Sequence, residues 1–534
     1  MREAEKLYAR VLKVAPENFD ALHLSGLCKA QSGQMGEAFR LISAAIKINA
    51  RVPDVWLNFA NVLRALKRDD EALNALDKVL ALRPGDPDAL VGRGSMLLTA
   101  GRPHEALASL QEAVARNPRH SDALINRGSA RAALGQAAAA LADFDATLAL
   151  SPGHSGALYN RGNALSDLGR YSEALAAYDA ALTAAPSNVK AWNNRGRALQ
   201  SLHRHSEAIE CFNEATLLQK DYADAHFNAA LSLLTLGDYA RGFAEYEWRW
   251  RRTGMIDTRR AYRGALWLGE YSLARKKILL HAEQGLGDTI QFARYAPLVA
   301  RAGATVMIEV QPALKDLFAS LAGVVSVHAR GETLPPYDVH CPLGSLPLAL
   351  KTQAADIPTE IPYLQADESR IAKWRPVIEA LPGKRVALAW AGNPAHANDR
   401  NRSIDARLLE PLMAVEGVSF VSLQRELRTG DQDFLARANV KQPGGELDDM
   451  ADSAAILALC DLLISVDTAA VHLAGAIGRA PWVLLPFSPD WRWTLSGAQS
   501  PWYPQARLFR QPALGDWVSP IAQVRDALTQ FVDS

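Results

Sequence analysis

Residues 157–186 read ALYNRGNALSDLGRYSEALAAYDAALTAAP. Gly162 in this stretch belongs to a series spaced by 34 residues: Gly26, Ala60, Gly94, Gly128, Gly162, Gly196 and Ala230. Ala174 belongs to another: Ala38, Ala72, Ala106, Ala140, Ala174 and Ala208. Pro84, Pro118, Pro152 and Pro186 form a third, and Gly33, Gly101, Gly135, Gly169 and Gly237 recur near a turn. A fixed period with fixed small positions is the signature of a repeat array. Physically it is a helix hairpin: small residues let two antiparallel helices approach, a glycine closes the first, and a proline stops the second. Apolar residues such as Leu158, Leu165, Leu175 and Tyr178 fill the facing stripe. The pattern predicts seven repeats from about Asp20 to Trp250. A lone helix at 3–14 precedes them, and its Glu3-Ala4 pair is the second-helix signature, so the chain is expected to begin in mid-repeat.

Such segments resemble the tetratricopeptide repeat (TPR), which implies an α-solenoid with an extended concave face. One column falls on that face: Asn58, Asn126, Asn160, Asn194 and Asn228, interrupted at Gly92. An amide both donates and accepts, so a spaced row can pair with the backbone of an extended peptide. Equally, these residues can bind neighbouring helices, and both readings stay open. The column is similar to the asparagine ladder of the repeat-bearing O-GlcNAc transferases, a resemblance confined to the array.

Composition narrows the rest. Lys plus Arg and Asp plus Glu each number 58, so net charge is zero, which argues against a nucleic-acid partner or a polybasic membrane-surface role. No apolar run approaches the roughly 18 residues of a membrane span; the best, Ala454 to Val466, is broken by Asp461. Cys28, Cys211, Cys341 and Cys460 show no CxxC spacing, so neither a disulfide framework nor a zinc site is indicated. A cytoplasmic location is expected.

The 34-residue step fails after about Arg252. The stretch 248–270, WRWRRTGMIDTRRAYRGALWLGE, reads as a capping helix and connector. Beyond it, short apolar runs alternate with helical segments: strands are expected at Ile278–His281, Thr305–Val310, Val324–His328, Arg385–Trp390, Ser419–Leu423, Leu462–Val466 and Trp482–Leu485. That alternation implies parallel sheets. The resulting organisation is an array over 1–252, a connector over 253–276, and α/β regions over 277–375 and 376–534, with a terminal helix at about 519–533 crossing back to the first.

Three clusters lie at strand ends, where ligands of open parallel sheets bind. In HAEQGLGDTIQFARY (281–295), Gly285 and Gly287 would let a ligand approach the backbone. Asp288 there is either a general base or a helix N-cap forming a capping box with Gln291. In AWAGNPAHANDRNRSI (389–404), Asn393, His396, Arg400 and Arg402 make a basic loop suited to a diphosphate, or simply a solvated loop. In SVDTAAVHLAGAIGRAPWVLLPFSPDWRW (465–493), Thr468, Ala469 and Ala470 open a helix whose free N–H groups could bind phosphate. Alternatively Asp467 or Thr468 caps that helix and His472 is merely packed.

Taken together, GLGDTIQ and VDTAAVHLAGAIGRAPWVLL resemble the ADP-heptosyltransferase-like glycosyltransferases of family 9, over about 277–515. The resemblance implies a GT-B fold of two Rossmann-like domains, the first on the acceptor side and the second holding a nucleotide-sugar donor. It implies Asp288 as catalytic base. The donor-binding set is Gly285, Gly287, Asn393, Arg402, Gln424, Asp467, Thr468, Ala469 and His472. The chain departs from the lipopolysaccharide enzymes at Ala469-Ala470, in the extra DWRW at 490–493, and in its fused array. The combination also resembles bacterial TPR-linked transferases implicated in modifying flagellin. The expected chemistry is inverting transfer without metal or other cofactor, since helix N-termini and arginines can stabilise a leaving diphosphate. Three functions compete: protein glycosylation with the acceptor on the repeats, lipopolysaccharide or glycan transfer with the repeats binding an assembly partner, and an inactive scaffold.

Overall fold

The computed structural model describes residues 2–253, 255, 260–395 and 398–533. Among them fifteen helices, from Arg2–Val14 to Tyr239–Tyr246, form the N-terminal solenoid. The chain divides into two compact units, Met1–Ala198 and Leu199–Ser534.

In the first unit the periodic small residues lie where helices touch. A Cβ on Gly94 would stand 2.4 Å from Leu110 Cγ, on Gly128 2.6 Å from Phe144 Cε1, and on Gly162 2.4 Å from Tyr178 Cε1. Ala38, Ala72, Ala106, Ala140 and Ala174 are all fully buried. Each hairpin turn takes a left-handed residue: Gly33, Gly101, Gly135 and Gly169 have φ between 70° and 78°, a conformation that costs glycine nothing.

The second unit begins with the end of the solenoid. Leu234, Tyr239, Phe243 and Tyr246 from the last two helices share one apolar core with Ile278, Leu280 and Ile308. Two five-stranded, all-parallel sheets follow. The first comprises β1 (Ala265–Leu266), β2 (Lys277–His281), β3 (Thr305–Val310), β4 (Val324–Ala329) and β5 (Val339–Pro342), in the order β1-β5-β2-β3-β4. The second comprises β6 (Lys384–Ala389), β7 (Val418–Ser422), β8 (Leu462–Val466), β9 (Pro481–Leu485) and β10 (Arg507–Arg510), in the order β10-β9-β8-β6-β7. Both faces of the second sheet are buried, as parallel sheets require. Leu462, Ile464 and Val466 of β8 enter one core while Leu463 enters the other, and Val386 and Leu388 of β6 alternate with Ala387 in the same way.

All seven expected strands are present to within a residue or two of their ends. Three others were not expected. β5 reads VHCP and β10 reads RLFR, too short and too polar to show a pattern, and β1 is a two-residue edge inside the stretch read as a connector. A second correction concerns the terminal helix, Val518–Val532. It does not cross back to the first sheet: Ile521, Val524, Ala527 and Leu528 join the core of the second, with Phe420, Trp482 and Leu484. No helix among the described residues is long and apolar enough to cross a membrane.

Candidate functional site

The glycine motif follows β2. Helix Leu286–Ala293 starts there with Gly285 in the N-cap position, so Asp288 is not the cap but lies in the first turn. Its Oδ2 accepts the Gly285 N–H at 3.2 Å, and its Oδ1 accepts from Arg492 Nη2. Gln291 does not reach back to the cap either. It is fully buried, its Oε1 accepts from Arg492 Nε, and its Nε2 has no partner among the described residues. With Gly285 as the cap, Asp288 falls at the third helical position, from which a carboxylate reaches the cap N–H, whereas Gln291 lies nearly a turn further on.

The third cluster is positioned by β8. Helix Ala469–Ala476 opens after Thr468, which holds the N-cap position without a side-chain bond to the helix. The Thr468 hydroxyl is instead 3.1 Å from that of Ser465. Of the two caps expected here, Thr468 takes the position but gives the helix no side-chain bond, so the first-turn N–H groups keep the positive end of the helix dipole. Asp467 sits at the strand's end with its carboxyl pushed up to about 6, first by burial and then by Asp490, against the opposing pull of Arg492 and Arg402. Arg402 Nη1 donates to the Asp467 carbonyl at 3.1 Å, and its buried Nε has no hydrogen-bond acceptor among the described residues.

The two motifs meet. A Cβ on Gly287 would lie 2.7 Å from His472 Cδ2 and 3.4 Å from Ala469 Cα. Gly287 is thus small because a helix packs on it, which corrects the reading that a ligand occupies that space. His472 is buried, its Nδ1 is 2.9 Å from Tyr503 Oη, and its ring stacks on Trp493 at 5.8 Å. Burial lowers its pKa well below the usual imidazole value, so the ring is neutral near pH 7 and serves as a packed spacer.

The middle cluster contributes less. Gln424 Oε1 accepts the Ala391 N–H at 3.2 Å, just past β6. Asn393 is exposed and bonds within its own loop, to the Ala395 N–H at 2.9 Å. His396 lies outside the described residues. Of the donor set, then, Gly285, Gly287, Arg402, Asp467, Thr468, Ala469 and His472 surround the meeting of the two motifs, while Asn393 and Gln424 belong to the β6 loop.

Arg492, in DWRW, is a site residue that was not among those expected from the sequence. This arginine is buried, and besides Asp288 and Gln291 it reaches Asp490 Oδ1 at 2.8 Å. Its neighbours fix it: Trp491 meets Phe243 edge-on at 5.9 Å, and Trp493 lies on His472. The signal was the density of large aromatics around one cation, a composition that buries a charge rather than solvating it.

In the first unit the asparagine column divides. Asn58 Nδ2 is 3.0 Å from His23 Nε2, and Asn194 Nδ2 donates to Tyr159 Oη at 3.2 Å and Asn163 Oδ1 at 2.9 Å. Asn126 and Asn160 are half-buried and make no side-chain hydrogen bond among the described residues. In the second unit, the Asn228 carbonyl accepts from Gln200 Nε2 at 2.8 Å.

Residues 57–107, 91–155, 159–216 and 195–249 match the profile of the tetratricopeptide repeat, and residues 1–79 match that of anaphase-promoting complex, cyclosome, subunit 3. Over 343 residues the chain is 29% identical to Protein FlbA of Caulobacter vibrioides, covering 59% of this chain and 56% of that one. The chain thus spans a little over half the length of that curated relative. Among solved structures it is similar to YrrB, described as a TPR protein with an unusual peptide-binding site, at 24% identity over 34% of this chain and 95% of that one, with a TM-score of 0.31. It is also similar to a tetratricopeptide repeat protein from Parabacteroides merdae, at 18% identity over 43% of this chain and 91% of that one, with a TM-score of 0.38. The N-terminal part of this chain is an array of tetratricopeptide repeats, and its C-terminal part is an α/β region with two parallel sheets.

Proposed function

We propose that the chain is an inverting glycosyltransferase of the GT-B type, which moves a sugar from a nucleotide-sugar donor to a protein acceptor held by the repeats. The observation that carries this reading is the meeting of GLGDTIQ with VDTAAVH, Gly287 against Ala469 and His472. It places a carboxylate, an uncapped helix N-terminus and two arginines together. In the reaction, an acceptor hydroxyl oxygen bonds to the anomeric carbon as the carbon–oxygen bond to the diphosphate breaks. The hydroxyl proton passes to Asp288, and the diphosphate leaves with the electron pair, its charge met by Arg402, Arg492 and the helix dipole. The family resemblance suggests flagellin as one such acceptor. The test is intact-mass analysis of proteins from cells with and without this chain. A sugar-sized difference on one protein is expected, and identical masses throughout would overturn the reading.

One observation favours an inactive scaffold instead: both oxygens of Asp288 are already engaged, by Gly285 and Arg492. The intact-mass comparison separates the two, since an inactive scaffold leaves every mass unchanged.

A further inference from the structure

We propose that Arg492 is a positioning residue shared between Asp288 and the leaving diphosphate, so that binding the anion loosens the arginine's hold on the carboxylate. This rests on the transferase reading above and adds to it a control on when Asp288 is able to accept a proton.

A guanidinium carries five N–H donors. Three of those on Arg492 have acceptors: Nε on Gln291, Nη1 on Asp490 and Nη2 on Asp288. The other two, one on each Nη, have none among the described residues, although the side chain is only 8% exposed. Buried donors without acceptors are costly. Beside them lie the unpartnered Nε2 of fully buried Gln291 and, across Asp467, the Nε of Arg402, which has no hydrogen-bond acceptor among the described residues and only a 3.9 Å ion-pair contact with Asp399. Phosphoryl oxygens are strong acceptors for such groups.

The arginine is fixed in place. The Asp490 carboxylate holds both its Nη1 and its backbone N–H, at 2.8 and 3.1 Å, and the flanking tryptophans are packed on Phe243 and His472. It therefore meets an anion where it stands. While Arg492 Nη2 donates to Asp288 Oδ1 and the Gly285 N–H to its Oδ2, both oxygens of that carboxylate are engaged. An anion taking the two remaining N–H groups draws charge away from the pair and weakens the Nη2 bond to Asp288. The carboxylate is then released in the complex that has a sugar to transfer.

The two groups must compete, and a double-mutant cycle on the full chain reads that competition. ADP, UDP, GDP and CDP are titrated calorimetrically into wild type, Asp288→Asn, Arg492→Gln and the double variant. For whichever nucleotide binds, Asp288→Asn should tighten binding about threefold or more, and Arg492→Gln should weaken it about tenfold or more. In the Arg492→Gln background the gain from Asp288→Asn should fall to less than half. Arg492→Lys keeps the charge with different geometry and serves if Arg492→Gln does not fold; with it too the gain should shrink. A gain of the same size in both backgrounds, or no gain, overturns the shared arginine and leaves the transferase reading standing. Failure of wild type to bind any of the four overturns both.

Discussion

Gly287 and His472 touch so closely that a single methyl group does not fit between them: the Cβ of an alanine at 287 would lie 2.7 Å from His472 Cδ2. The imidazole cannot retreat, because Tyr503 holds its Nδ1 and Trp493 lies along its face. Gly287→Ala should therefore destabilise the second unit by about 1–3 kcal/mol, the usual cost of overfilling a packed contact. Urea unfolding measures this. An unchanged midpoint would show that the two motifs are not packed on one another.

Asp467 supplies a prediction in pH. Its carboxyl is raised to about 6 in the fold, by burial first and Asp490 second. A raised carboxyl contributes stability that is fully present below the unfolded value, near 3.9, and is lost as pH rises through the folded one. The difference in stability between wild type and Asp467→Asn should thus shift in favour of the variant between about pH 4 and pH 6, then level off. Neutralising Asp467 also removes a like charge from the site proposed for a diphosphate. Affinity for a nucleotide sugar, whose diester phosphates keep their charge over this range, should rise as pH falls from 7 toward 5.5 in wild type and stay flatter in Asp467→Asn. Parallel pH profiles in the two proteins would place the diphosphate away from Asp467.

The array was legible because its constraint is steric and periodic: Gly94, Gly128 and Gly162 each face one large side chain, and no other residue fits. The longer strands were legible for the same reason, through runs such as LLISV that are buried along their length. β5 and β10 were not, since four residues ending in proline or bounded by arginines carry no periodic signal. The site was legible in part. Glycine next to aspartate marked the right turn, but spacing alone cannot say which of Gly285 and Asp288 caps the helix, nor that the space over Gly287 belongs to His472. Arg492 was hidden because two of its three side-chain partners lie far away in sequence, Gln291 being 201 and Asp288 204 residues distant.

Two turns of the solenoid depart from glycine, and they should respond in opposite directions. Lys67 and His203 occupy the left-handed position with φ of 58° and 61°, which costs a side chain roughly 1–2 kcal/mol. Lys67 is exposed, so Lys67→Gly should stabilise its unit by up to about 1 kcal/mol, the relief offset in part by glycine's greater unfolded freedom. His203 is different. Its Nε2 bonds the Phe487 carbonyl and its ring stacks on Phe487 at 4.3 Å. His203→Gly removes a hydrogen bond and a ring contact worth about 0.5–1.5 kcal/mol each, so it should leave the fold no more stable and by this sum less so. Thermal unfolding of both variants decides the matter. A gain at His203 equal to that at Lys67 would mean that the Phe487 contact contributes nothing.

The asparagine column should divide in the same way, because its members do not share one environment. Asn194 donates to Tyr159 and Asn163 in the preceding repeat, and Asn58 is bonded to His23. Those amides are occupied in holding neighbouring helices together. Asn194→Ala should therefore cost about 0.5–1.5 kcal/mol of stability, the net worth of a bond with its partners left behind. Asn126→Ala with Asn160→Ala loses no side-chain bond seen among the described residues and gains helix propensity, so its unfolding midpoint should hold or rise slightly. If those two amides face an acceptor's backbone, the double variant pays instead in binding, by about 1–3 kcal/mol for two lost amide pairs. The measurement sets unfolding beside capture of whichever protein shows the sugar-sized mass difference, using the full chain throughout. Stability lost at Asn194 with binding lost at Asn126 and Asn160 assigns the column both roles, one in each part. Capture unchanged in the double variant would remove these asparagines from acceptor binding and leave the column a device for spacing helices.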